Sequence, residues 1–462
     1  MRRPGSVFAV LVAVVGVLLP STAGAIPAFA RKYGVACSAC HTNWPRLNRF
    51  GINFRDNGYR MNRERDNPVT QPGTYWPIAF RSTVGYQYAA QTQVPVEPTA
   101  SNPNGLATTQ TGTFGFAGLD ILTAGTLGEQ INFLLVYTPA LGSAGFGTSP
   151  SDGDLESAWV GFTRLIGRSP FLNVRVGKMA PDLPVDEHRT YFLTQGYQVY
   201  HFVAQGSAVT YGPGDNQAGV EVYGHSELSS FRYSVQLANE GGQPLYSANW
   251  VSNPVVWGHV QYYHLTGNDF LVSIEPGVFG ATGWQAVKYL AAPGMTCTPS
   301  TGQGCVSGTG SSLANYYRIG GELHFQFLSP VNPLTLDGVV MFGSDSGALV
   351  TGGSNSDGSP TQSAQWMGGF AELSYTPSPN WTIAFMYQRI ATLQQGSIDY
   401  SHAIGDFTAW AVLARYYVAL SSRAGVALHA EFSQASTTAQ LPVAGIGPPQ
   451  GTTVLLGVDF AY

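Results

Sequence analysis

Charge is scarce in this chain. Its 462 residues include 22 Lys and Arg and 27 Asp and Glu, so charged residues make up 11%, against about a quarter in an ordinary soluble domain. Disorder is excluded, because it needs high charge and few aromatics, whereas aromatics reach 12% here. Cysteine is scarce as well, with four residues, too few for a disulfide scaffold. Beyond the first 25 residues no apolar run reaches 18, so no helical membrane anchor is expected. Nucleophile elbow, phosphate loop and metal-binding His-Glu-x-x-His motif are all missing, which removes the common hydrolytic and group-transfer chemistries.

What replaces charge is glycine (56 residues), tyrosine (24) and phenylalanine (24), yet mean hydropathy is only +0.01. Apolar residues must therefore alternate with polar ones. That composition suits a large β-structure whose outer face meets lipid.

The chain opens with Arg2 and Arg3, an apolar run from Val7 to Leu19, and small residues through Ala25. This is the pattern of a cleaved export signal over residues 1–25, and the apolar run is too short for a spanning helix. Residues 26–66 then hold eight basic and three acidic side chains, a net +5, while the remainder of the mature chain holds 12 basic and 24 acidic, a net −12. A small basic module thus precedes a large acidic body. Nucleic acid is not an expected partner, since no basic stripe recurs beyond the module.

Two of the four cysteines stand in Cys37-Ser38-Ala39-Cys40-His41. Cys-x-x-Cys-His is the pattern of covalent c-type heme attachment: two thiols one turn apart reach the two vinyl groups of a porphyrin, and the adjacent imidazole becomes the proximal iron ligand. A zinc site would need further ligands nearby, but the next His is His188 and the next Cys is Cys297. A redox disulfide would need a thioredoxin-like βαβ context that is absent. Downstream, Leu47, Phe50 and Phe54 fall at helical spacing and Gly58 suits the helix end, so an apolar helix face is expected over one side of the ring. Some 45 residues cannot enclose a heme and also bury a core of their own. The large body must shield the other side.

The stretch Ala28-Phe29-Ala30-Arg31-Lys32-Tyr33-Gly34-Val35-Ala36 before the cysteines, with Pro45, Leu47, Phe50-Gly51, Phe54 and Gly58-Tyr59 after them, resembles the N-terminal module of the fused outer-membrane monoheme cytochrome–porins of the iron-oxidising type. That resemblance implies one heme c inside or against an outer-membrane barrel, serving as an electron conduit. It covers about 45 residues specifically and the rest only in architecture.

From Ile78 onward, segments of about ten residues alternate with period two, as in Ile131/Phe133/Leu135/Tyr137, Phe231/Tyr233/Val235/Leu237 and Tyr317/Ile319/Leu323/Phe325. Between them fall Arg81, Arg175, Arg232, Gln236, Arg318, Glu322, His324, His429 and Glu431, expected to line a wet interior. At about 24 residues per strand and connection, residues 75–462 make roughly 16 strands, enough for an aqueous lumen. Short turns near 329–333 and 376–380 contrast with long Gly/Ser-rich stretches at 140–153, 291–312 and 343–363. The last segment alternates through Val454, Leu456, Val458 and Phe460 to Tyr462, resembling the signal by which barrels are delivered to the outer membrane. The expected fold is therefore all-β: a transmembrane antiparallel barrel of roughly 16 strands over 75–462, plugged by a helical monoheme module over 26–74.

Cys297 and Cys305, in a Gly/Ser-rich loop of an exported chain, are expected to form a disulfide. The sixth iron ligand is open among Met61, Met179 and His188, and an unfilled position also fits. The pairs Glu322/His324 and His429/Glu431 are expected to be solvated lumen lining. Three functions follow from these features: an electron conduit in the bacterial outer membrane, between an extracellular donor or acceptor (ferrous iron being one candidate) and a periplasmic carrier; a solute porin with an accessory periplasmic heme module; or a heme-based sensor. Outer-membrane lipid is a partner in each.

Overall fold

The computed structural model describes residues 28–61 (except 36), 78–95, 102–141 (except 104), 145–146, 153–239 (except 168, 205, 210 and 227–229), 254–286, 289–291, 305–307, 313–350 (except 329–331), 355–397 (except 356), 405–420, 425–437 and 450–461. The expected export signal and Tyr462 lie outside them.

The body is built from β1 (Ile78–Pro95), β2 (Leu106–Thr126), β3 (Ile131–Thr138), β4 (Asp154–Phe162), β5 (Asn173–Met179), β6 (Gln217–His225), β7 (Phe231–Asn239) and β8 (Pro254–Tyr262, prolonged by His264–Leu265). It continues through β9 (Leu271–Ala286), β10 (Leu313–Phe327), β11 (Leu334–Asp345), β12 (Ala364–Ser378), β13 (Trp381–Gln394), β14 (Phe407–Leu420), β15 (Gly425–Thr437) and β16 (Gln450–Ala461). Each strand pairs antiparallel with the next. β16 returns to β1, with Phe460 opposite Ser82 and Ala461 opposite Arg81, and so closes a 16-stranded barrel. Closure leaves no unpaired sheet edge.

Period-two alternation fixes which side chain faces where. On β13, Trp381, Ile383, Phe385 and Tyr387 are exposed on the exterior, while Thr382, Ala384, Met386 and Gln388 are buried inside. On β7, Val235 and Leu237 face out and Arg232, Ser234 and Gln236 face in. So continuous an apolar exterior is unsuited to water but matches lipid. No helix among the described residues is long and apolar enough to cross a membrane; the strands provide the crossing.

Connections at one rim are short, as at 127–130, 226–230 and 379–380, and both Ile78 and Ala461 stand at that rim. Those at the other rim are long. Two of the expected loop stretches are narrower than the sequence suggests. Gly343 to Asp345 complete β11 by pairing with β12, and the 291–312 stretch contributes Cys305–Ser307 to a small ribbon with Tyr289–Ala291. The expected disulfide lies outside what the structure describes, which omits Cys297 and the Cys305 side chain.

The lumen is not the open aqueous channel that strand count alone predicts. Residues 180–216, between β5 and β6, fold inward and pack Tyr191, Phe192, Tyr197, Tyr200, Phe202 and Tyr211 against the barrel's inner wall. The N-terminal module fills the short-turn half beside them.

Candidate heme-binding plug

The module comprises α1 (Ala28–Tyr33), a 3-10 turn Cys37–Ala39, a ribbon pairing His41–Asn43 with Arg46–Leu47, and α2 (Arg49–Asp56). Asn48 caps α2, its side-chain oxygen accepting from Gly51 N–H at 2.9 Å. The same residue ties the helix to the cysteine turn: its backbone N–H donates to Cys40 O at 2.9 Å and its amide to Ala39 O at 3.1 Å. Only glycine suits position 51, because a Cβ there would stand 2.1 Å from Cys40 O. Gly58 ends the helix with φ +72°, its N–H donating to Arg55 O and that of Tyr59 to Phe54 O. The helix is shorter than its apolar spacing suggests. Leu47 lies in the ribbon and Phe50 is exposed, leaving Phe54 as the buried anchor.

His41 is fixed by its Nδ1, 3.0 Å from Pro45 O. Burial, and then the Arg189 guanidinium, push its imidazole down to about 4, so at neutral pH it carries a lone pair, the form that binds a metal. A ligating histidine is commonly oriented through its other ring nitrogen in this manner. Cys37 and Cys40 sit on the turn immediately before it. The residues present therefore suit a covalently attached heme with His41 as proximal ligand.

Side chains of the barrel wall and the inward segment hold the plug. Arg46 is ion-paired with Asp337 and with Glu372 (2.7 Å) and donates to Tyr197 Oη at 2.7 Å. Asp56 meets Arg232 at 2.8 Å. Arg415 and Tyr417 both donate to Trp44 O. The Tyr59 ring stacks on Trp159 of β4 with centroids 6.2 Å apart, inside a cluster with Phe54, Ala124 and Met179. The net charges of module and body thus meet as specific pairs.

Between plug and wall lies a cavity of about 270 Å³, lined by Arg46, Arg55, Met179, His188, Arg189 and Arg232 among others. Its lining also holds Glu156, Asp182, Asp186, Glu275 and Asp337, so the seven arginines leave a net positive balance that suits the carboxylates of a porphyrin. Met179 is buried in β5 within the aromatic cluster, and Met61 packs on the same cluster. His188 stands in a 3-10 turn, its Nδ1 3.1 Å from Glu156 Oε1. Burial lowers its proton affinity, but Glu156 and Asp186 outweigh that and raise its pKa above the ordinary value.

The expected wall positions do face inward, but two pairs are not the solvated lining that their spacing suggests. His324 bridges Glu322 and Asp337 at 2.8 Å each, and Glu322 also meets His259, which continues to Asp182 at 2.9 Å. His429 bridges Glu431 and Asp459, and Glu431 accepts from the backbone N–H groups of Leu193 and Thr194. The plug and the inward segment cover both pairs, so they are buried ionic networks. The 180–216 segment is the functional element that strand reading passes over. Its signal is a non-alternating aromatic run, Tyr191-Phe192 to Phe202, where a rim loop would be polar.

No family profile matches the sequence, and no curated protein does. In fold the chain is similar to solved outer-membrane porins. An anion-selective porin from Comamonas acidovorans shares 13% identity over 83% of this chain and 99% of the other, with TM-score 0.49. Pseudomonas putida OprB shares 13% over 83% and 94%, also at 0.49. The outer-membrane channel DcaP of Acinetobacter baumannii shares 10% over 82% and 96%, at 0.48.

Proposed function

We propose that this porin-type barrel sits in a bacterial outer membrane as an electron conduit, moving electrons between an extracellular partner, ferrous iron being one candidate, and a periplasmic carrier. Cys37 and Cys40 bind one heme c and His41 ligates its iron. The heme, once bound, supplies a one-electron centre. The observation that carries this reading is the position of the module, inside the lumen and clamped by Arg46, Arg49 and Asp56 to the wall. A hydrocarbon layer about 30 Å thick is too wide for a single redox centre parked outside it, whereas a centre within the lumen shortens both legs. The plug and the inward segment pack into the lumen around that path.

The barrel taken alone is the fold of a solute porin, and a second reading keeps that role and gives the heme a local one. The cavity lining, with seven arginines against five carboxylates, favours it, since a net positive constriction selects anions. One experiment separates the two. Purified holoprotein is placed in liposomes holding an internal acceptor, an impermeant donor is added outside, and ion conductance is recorded in parallel. Internal reduction with low conductance supports the conduit. Anion conductance without electron transfer overturns it in favour of the porin.

A further inference from the structure

The distal side of the proposed heme has three candidate ligands, and they differ in how they are held. Met61 and Met179 contribute to the aromatic cluster around Phe54, Tyr59 and Trp159. Ligation would take their sulfurs out of that packing. His188 is oriented from three sides: its Nδ1 lies 3.1 Å from Glu156 Oε1, its backbone N–H donates to Asp186 Oδ1 at 3.1 Å, and its carbonyl accepts from Arg81 at 2.9 Å. Its Nε2 is buried without a hydrogen-bond partner. A buried ring nitrogen left unpaired is costly and calls for a partner. The ring also lines the cavity between plug and wall, as does Thr42, the residue after His41. His188 thus stands on a cavity that the module reaches one residue beyond His41, and each imidazole is tied through Nδ1.

We propose that His188 is the second axial ligand of the heme iron, binding through Nε2, with Glu156 as the carboxylate that orients it. This rests on the heme reading given above. The histidine–carboxylate pair is the usual outer-shell arrangement of a ligating imidazole. The negative field of Glu156 favours a cation on the ring, and ferric iron is such a cation. Ligation by two imidazoles also gives a lower potential than methionine would, and it joins the inward segment to the module through the metal.

The test uses full-length holoprotein in detergent. Pyridine hemochrome first establishes that heme is attached, and the ferric state is then examined by electron paramagnetic resonance and visible absorption. The wild type should be low-spin with two imidazole ligands and without the far-red band of thioether ligation. His188→Ala should become high-spin, and added imidazole should restore the low-spin signal. Glu156→Gln, a milder change that keeps the side-chain shape, should stay low-spin while its midpoint potential rises. If His188→Ala does not fold, the wild-type spectrum and the Glu156→Gln shift decide. A low-spin His188→Ala protein indifferent to imidazole overturns the assignment, as does conversion to high-spin by Met179→Leu or Met61→Leu. A chain with no heme overturns the underlying reading too, and hemochrome distinguishes that failure from the others.

Discussion

Asp56, at the end of the plug helix, places Oδ2 2.8 Å from Nε of Arg232 on the lumenal wall, 176 positions later in the chain. Arg232 also reaches Asp182 of the inward segment at 2.5 Å. One guanidinium therefore joins all three parts of the molecule: plug, wall and inward segment.

Removing that guanidinium leaves two buried carboxylates short of a partner. Arg232→Ala should cost about 3–5 kcal/mol, read as a lower midpoint in urea. Protease digestion of barrels in liposomes should then release the module, which the wild type protects.

The same pair predicts acid sensitivity. Burial pushes the Asp56 carboxyl up, but Arg232 and Arg55 outweigh it and hold the value at about 2, below the usual 3.8. A depressed pKa stabilises the docked state above the unfolded value and is lost as pH falls. Module protection should accordingly be intact above about pH 4 and weaken toward pH 2, and Asp56→Asn should be weaker at neutral pH and flatter across that window.

Cys37→Ala or Cys40→Ala should weaken acid-stable heme staining of the denatured chain, and the double variant should abolish it. His41→Ala should retain staining and change the iron spectrum. Heme that extracts fully into acidified solvent from the wild type would refute covalent attachment.

Trp159→Ala removes the ring on which Tyr59 stacks and opens a cavity beside Met179. The expected cost is about 3–5 kcal/mol. Near-ultraviolet circular dichroism should show plug melting ahead of the barrel, with strand content unchanged.

Deleting Phe460, Ala461 and Tyr462 removes the last pairs between β16 and β1, opposite Ser82 and Arg81. The variant should fail to insert, leaving unfolded chain in the periplasmic fraction. Insertion at wild-type yield would show that neither the closing pairs nor the terminal aromatic is required.

The barrel was legible before any tertiary contact was known, because side-chain alternation is a local property of a strand. Ile383, Phe385 and Tyr387 stand every second residue whatever lies across the lumen, and lipid outside with polar groups inside demands that spacing. The proposed heme attachment at Cys37–His41 rests on sequence for the same reason, since thiols and an imidazole that are to meet one ring must be near neighbours in the chain. The contents of the lumen were decided only by the tertiary structure. Arg46 finds Asp337 across 291 positions, Trp44 O finds Tyr417 across 373, and His188 reaches Glu156 because β4 passes beside an inward-folded segment. Such partners carry no periodicity. The pairs Glu322/His324 and His429/Glu431 read as wet lining because their spacing records which face they occupy. Whether water, a plug or a folded-in loop covers that face depends on chain segments more than a hundred residues away.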